Sequence, residues 1–142
     1  MGDIKNQQNT IVTLTTDFGR QDYYLALLKG AMLCENPQLN IVDLTHEIKN
    51  YDIIRAAFIF KNAWKHFPKE TIHVLSVNDY SIGLPSFIAI KHEDHYFLGP
   101  DNGIFSLVFD GVPEEIYKLS GQKDSNFELK DIFSLAIGHI SA

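Results

Sequence analysis

Hydrophobic and polar positions along this chain follow two rhythms, a period of two in short β-branched runs and a period of three to four in longer ones. Ile11 to Thr16 is β-rich behind a polar lead-in and predicts a first strand, broken by Asp17-Phe18-Gly19. A helix is predicted from about Gln21 to Glu35, with Tyr24, Leu25, Leu28 and Met32 on one face, stopped by Asn36-Pro37. Leu39 to Leu44 predicts a second strand ending at Thr45-His46. From about Asp52 to Phe67 the spacing of Ile53, Ala56, Ala57, Phe60, Ala63 and Trp64 is helical, with Asp52 placed as a cap or first-turn acid and Pro68 as the stop. Thr71 to Val77 predicts a third strand. Phe87 to Lys91 and Tyr96 to Leu98 predict a hairpin around His92-Glu93-Asp94. Ile104 to Phe109 predicts a short helix after the loop Gly99 to Gly103, and Glu115 to Leu119 a further strand. A polar loop, Gly121 to Asn126, precedes a last helix from Asp131 to Ile140.

Alternation of strand and helix in the first half implies an α/β fold: a mostly parallel sheet flanked by helices on both faces, Rossmann-like, with added hairpin strands. The chain of 142 residues reads as a single domain with no repeat or linker. With 45% hydrophobic and 21% charged residues, it is composed like a globular protein. A formal net charge of -6 and scattered basic residues argue against a nucleic-acid partner, which needs clustered Lys and Arg. The single cysteine, Cys34, cannot close an internal disulfide and is expected as a buried helical thiol. Met1 to Thr10 is polar, with neither a signal-peptide core nor a membrane span. A cytoplasmic protein with no membrane partner is expected.

Ligands of open parallel sheets bind outside the carboxyl ends of the strands. The polar residues expected there are Asp17 and Asp22 after the first strand, Asp43, Thr45 and His46 after the second, and Asn78 and Asp79 after the third. Asp17, His46 and Asp79 should therefore gather on one edge. An ionised carboxylate suits two vicinal sugar hydroxyls, and Asp17 leaves its strand just before Gly19, where its side chain can project from a tight turn. Asp17 also fits a turn-former or a helix-starting acid. Tyr51, just before the second helix, can stack on a sugar or base, or pack as a staple on the helix start. His46 beside Glu47 is a poor metal case, because a site needs three or four convergent ligands; a hydrogen-bonded structural role is favoured and no metal is expected.

The chain contains no G-x-x-x-x-G-K-[ST] and no G-x-G-x-x-G, which argues against triphosphate and dinucleotide binding, and so against a Rossmann-type oxidoreductase. It has no G-x-S-x-G elbow, and Ser76, Ser81 and Ser86 lack a partner base, which argues against a serine hydrolase.

Several short motifs, taken in order, carry a family likeness. Thr15-Thr16-Asp17-Phe18-Gly19 with Asp22-Tyr23-Tyr24 and Lys29-Gly30 resembles the opening of the S-adenosylmethionine hydroxide adenosyltransferases, relatives of the bacterial fluorinases and chlorinases. Asp43-Leu44-Thr45-His46-Glu47-Ile48, Asp52-Ile53 and Ala56-Ala57 resemble that family's D-x-T-H-x-I…D-I…A-A stretch. Phe67-Pro68 and Thr71-Ile72-His73-Val74 resemble its F-P-x-G-T-v-H-v segment, with Glu70 in place of glycine. Gly99-Pro100-Asp101-Asn102-Gly103 resembles its G-P-D-N-G loop, and Phe127 with Asp131-Ile132-Phe133 its F-H-G-R-D-x-F segment.

The resemblance implies an N-terminal α/β domain whose family partner, a C-terminal β-barrel, is absent from this chain. It implies a homotrimer with the ligand between subunits, and water attack at C5′ of S-adenosylmethionine. The small-molecule nucleoside is then substrate, and no cofactor is implied. On that pattern Asp17 holds the ribose hydroxyls, Asp22 supports the pocket and Tyr51 stands beside the ribose. Asn78 and Phe127 join the ligand-binding set, and Asp79 is the retained member of a catalytic Asp-Arg-His set. The arginine position holds Ser86 and the histidine position Glu128, followed by Leu129-Lys130. The resemblance therefore carries two expectations: an S-adenosylmethionine hydrolase in the full-length form, or a catalytically impaired nucleoside-binding or assembly domain. This chain alone is expected to be inactive.

Overall fold

In the computed structural model, which describes residues 9–19, 23–49, 52–79, 86–119 and 128–142, the run Ile11–Thr16 forms strand β1. Helix α1 follows at Tyr24–Glu35, strand β2 at Asn40–Thr45 and helix α2 at Ile53–Ala63. Asp52 caps α2 by accepting the Arg55 amide at 3.0 Å. The expected single helix to Phe67 instead tightens into a 3-10 turn over Trp64–His66. Strand β3 is Ile72–Ser76, β4 Phe87–His92, β5 His95–Pro100 and β6 Glu115–Leu119. Helix α3 is the short Ile104–Val108, and α4, Glu128–Ser141, starts three residues earlier than its apolar pattern.

The strands form one six-stranded sheet in the order β2-β1-β3-β5-β4-β6. β1 runs parallel to β2 and β3, and β3 parallel to β5. β4 runs antiparallel to both β5 and β6, so the sheet is mixed, its parallel part being β2-β1-β3-β5 and the added hairpin strand β4 the one that runs the other way. The cause is local. Glu93 and Asp94, the two residues between β4 and β5, both have positive φ (48° and 65°), the geometry of a tight hairpin turn that reverses the chain.

Side chains of successive strand residues fall into two core clusters, as a period of two requires. Val12, Leu14 and Val74 pack with Leu28 and Met32 of α1 and Phe133 and Ile137 of α4. Leu75, Val77 and Phe97 pack with Ala56, Phe60 and Trp64 and with Ile104, Phe105 and Val108 of α3. Each fully buried large side chain stabilises the fold by about 1.5–3 kcal/mol relative to exposure.

Two expectations on α1 are corrected. Cys34 is exposed, not buried. The buried line of α1 is Leu28 and Met32, four residues apart, and Cys34 lies two residues beyond Met32, on the far side of the helix. Tyr24, expected on the apolar face, is 40% exposed. Among the described residues no helix is long and apolar enough to cross a membrane.

His73 is fully buried in β3 and is a core residue. Its Nδ1 lies 2.7 Å from Thr13 Oγ1 and its Nε2 3.1 Å from His95 Nδ1. Burial, reinforced by His95, pushes its pKa down to about 3, so the ring is neutral among Phe60, Trp64 and Phe97. Glu70 occupies a left-handed position, φ 70°, which accounts for the glycine of the motif it resembles.

Because β1, β2, β3 and β5 are parallel, Thr16, Thr45, Ser76 and Pro100 all end at one edge of the sheet.

Candidate functional site

Asp17 leaves β1 with its amide still tied to the sheet, donating to the Ser76 carbonyl at 3.3 Å. The chain then turns at Gly19, whose φ of 72° is cheap only for a residue without Cβ, and the Gly19 amide donates to the His46 carbonyl at 2.8 Å. Phe18 N–H donates to Thr16 Oγ1 at 3.2 Å. The Asp17 turn is thereby fastened to the ends of both neighbouring strands.

His46 is hydrogen-bonded through both ring nitrogens, with Nδ1 2.7 Å from Thr16 Oγ1 and Nε2 2.7 Å from Asp43 Oδ1. Lys29 of α1 donates to the other Asp43 oxygen at 2.8 Å. Burial raises the Asp43 pKa, but the bonds from Lys29 and His46 outweigh it, and the net shift is downward. Lys29, Asp43, His46 and Thr16 thus form one chain of contacts that braces the turn from behind. Among the described residues no group of three His, Cys, Asp or Glu side chains is placed to hold a metal ion.

On the other side, β3 ends in Val77-Asn78-Asp79. Asn78 has φ 57°, a left-handed conformation that asparagine tolerates better than most residues. Its N–H donates to Asp17 Oδ2 at 3.0 Å. Asp79 Oδ2 accepts from Ser76 Oγ at 2.5 Å, while Asp79 Oδ1 is buried and has no partner among the described residues. Burial pushes the Asp79 pKa up to about 7; the Ser76 hydroxyl opposes this and the charge of Asp17 adds to it. Burial also raises Asp17, against the hydrogen bond from Asn78. Two carboxylates therefore sit at adjacent strand ends in unlike settings. Asp17 is partly buried and bonded to a backbone N–H, whereas Asp79 has one carboxyl oxygen buried with no partner among the described residues and a pKa pushed up to about 7.

Asn102, in the turn between β5 and α3, donates from Nδ2 to the carbonyls of Val77 at 2.9 Å and Asn78 at 3.1 Å. Neither Ser76 nor Asn102 was singled out from sequence as a site residue. The signal for Asn102 was its place in Gly99-Pro100-Asp101-Asn102-Gly103, at the end of a strand that joins the same edge.

The structure brings Asp17, His46, Asn78 and Asp79 together. Asp22, Tyr51 and Phe127 lie outside the described residues. Ser86 precedes β4, and its carbonyl accepts the Asp101 amide at 2.7 Å. Glu128 is the first residue of α4. Four surface cavities of about 440 to 620 Å³ are lined by other residues, two of them on β4 and β6.

Comparison with known proteins bears on this edge. The chain is 33% identical to an (R)-S-adenosyl-L-methionine hydrolase of Methanocaldococcus jannaschii, an alignment covering 88% of this chain and 51% of the relative. It is 26% identical to one of Thermus thermophilus, covering 92% and 56%. The chain spans about half the length of these curated relatives. Its backbone superposes on the crystal structure of an uncharacterized conserved protein from Thermotoga maritima with a TM-score of 0.81 at 27% identity, over 93% of this chain and 54% of that one. A conserved hypothetical protein from Thermus thermophilus gives a TM-score of 0.77 at 27% identity, over 94% and 54%. Residues 12–142 match the model of the SAM hydroxide adenosyltransferase N-terminal domain, and with the strand-end site lying inside that span, the chain belongs to this family.

Proposed function

We propose that the strand-end edge is the nucleoside-binding and water-activating half of an S-adenosylmethionine hydrolase. In the reaction, water attacks C5′, the C5′–S bond breaks, methionine leaves as a neutral thioether, and adenosine forms as the water's proton passes to a base. The observation that carries the reading is the pair of unlike carboxylates at the ends of β1 and β3. Asp17, partly buried and fastened on both flanks, suits the two vicinal ribose hydroxyls. Asp79, with a pKa of about 7 and an Oδ1 that has no partner among the described residues, suits a base that accepts a proton near neutral pH. The names of the relatives supply the substrate class.

The same proposal assigns Asp22, Tyr51, Asn78 and Phe127 to the nucleoside pocket, and places this domain, Rossmann-like in its helix packing, beside a C-terminal barrel in a cytoplasmic homotrimer. S-adenosylmethionine is substrate, and the reaction as written needs no cofactor. This chain alone is then half of a site, and little turnover is expected from it. A second reading has a specific observation behind it: Ser86 and Glu128 stand where the resemblance places an arginine and a histidine. In that reading the domain binds a nucleoside, or mediates assembly, without efficient hydrolysis.

The test is to incubate the full-length protein, with its proposed C-terminal barrel, with S-adenosylmethionine and follow adenosine and methionine by chromatography, with calorimetric titration of adenosine in parallel. Adenosine formation favours the first reading, and binding without turnover the second. Asp17→Ala is expected to weaken adenosine binding by roughly 1–3 kcal/mol, the loss typical of hydrogen bonds to a charged group. Unchanged affinity in that variant would remove the ribose role.

A further inference from the structure

The Val77–Asn78 peptide unit is held at both edges. Its carbonyl, on Val77, accepts Asn102 Nδ2 at 2.9 Å, and its N–H, on Asn78, donates to Asp17 Oδ2 at 3.0 Å. A peptide group is planar and stiff, with C=O and N–H pointing in opposite directions. Fixing the carbonyl therefore aims the N–H. The same Asn102 amide also reaches the Asn78 carbonyl at 3.1 Å, so both peptide units flanking the Asn78 α-carbon are pinned while that residue sits at φ 57°. The Asn102 side chain is itself anchored, since its Oδ1 accepts the Ile104 amide at 3.1 Å at the start of α3. The partners settle the orientation of the amide: two carbonyls call for NH₂ on one side and an N–H calls for oxygen on the other.

We propose that Asn102 is a positioning residue for the nucleoside site, setting the orientation and charge of Asp17 through the Val77–Asn78 peptide plane without touching the ligand. The inference rests on the ribose-holding reading of Asp17 for its functional consequence, but the mechanical link can be measured without any ligand. Loss of the Nδ2 donor frees the plane to rotate. Asn78 N–H then leaves Asp17 Oδ2, and the carboxylate loses a backbone donor that favours its ionised form.

The test uses two substitutions that keep an acceptor for the Ile104 amide and remove the amide donor, Asn102→Asp and Asn102→Ser. Amide proton and nitrogen resonances are followed through a pH titration in the parent and both variants, with adenosine affinity by calorimetry. In the parent the Asn78 amide should lie downfield and move with the Asp17 carboxyl titration. In both variants it should move upfield, with its response to Asp17 cut by at least about half, and adenosine affinity should fall about fivefold, the effect of one lost hydrogen bond. An Asn78 amide that tracks Asp17 unchanged in both variants overturns the proposal, whatever happens to affinity. So does unfolding of both variants under conditions where the parent is folded, which would place Asn102 in the fold and not in the site. If the parent binds no adenosine at all, the ribose reading fails, and the amide titration still decides the link between Asn102 and Asp17.

Discussion

Asp79→Asn is expected to stabilise the chain by about 4 kcal/mol at pH 8 and to leave it nearly unchanged at pH 4. The folded-state pKa of Asp79 is about 7, against an ordinary value of 3.8. A carboxyl whose pKa is raised on folding costs nothing while it is protonated in both states. Between the two values the unfolded chain ionises first, so each pH unit of that interval costs the folded state about 1.4 kcal/mol. Above pH 7 the full cost is present. Asparagine is close in shape and never ionises. Its oxygen can still accept the Ser76 hydroxyl that now serves Asp79 Oδ2. It also removes the repulsion from Asp17. Urea unfolding of parent and variant at the two pH values reads the difference directly, because every other titrating group is common to both. A gain of the same size at pH 4 and pH 8 would mean that Asp79 is not held ionised against its surroundings. In the proposed reaction the variant also loses its base, so stability and turnover should move in opposite directions, the pattern expected where a site retains a destabilising group for its chemistry.

How much of this was legible beforehand depended on whether a feature is local or long-range. The ends of β1 and β3 could be read from β-branched runs followed by Asp17 and Asp79, and parallel connection then put both on one edge. Chain reversal at Glu93-Asp94 was legible as a hairpin, but not that it would make β4 antiparallel to two neighbours, because strand order depends on contacts distant in sequence. Cys34 was misread because composition alone favours burial of a thiol; the helical phase of Leu28 and Met32 was the better guide. The unlike settings of Asp17 and Asp79 depend on which groups close over each carboxyl. Spacing carries no information on that. Asn102 stood in plain view inside a motif. Its two carbonyl partners lie more than twenty residues upstream, where no pattern in the sequence points.

Gly99→Ala is expected to destabilise the fold by about 3 kcal/mol, the upper part of the range for overpacking, and so to lower Tm by roughly 6–12 °C in a domain of this size. Gly99 lies in β5 opposite Ile88 of β4. A Cβ there would stand 2.4 Å from the Leu75 carbonyl oxygen and 2.9 Å from two ring carbons of Phe105. The ring could give way, since Phe105 sits in the second residue of the short helix α3. The carbonyl cannot, because it belongs to the buried strand β3. Relief therefore requires β5 to draw away from β3 and Phe105 to shift from its stack on Phe109, whose ring lies 6.0 Å from it at 11°. Either movement displaces the turn holding Asn102, which clamps the carbonyls of Val77 and Asn78 beside Asp17. Thermal unfolding should thus show the loss of stability, and calorimetry a weaker adenosine interaction in the same variant. Adding Phe105→Leu should recover part of the stability, because it removes the ring contact and leaves the clash with Leu75 in place. Recovery to the parent Tm would assign the whole cost to the ring. A Tm for Gly99→Ala within about 2 °C of the parent, a shift worth less than about 1 kcal/mol, would show that the two strands can part at this point without penalty.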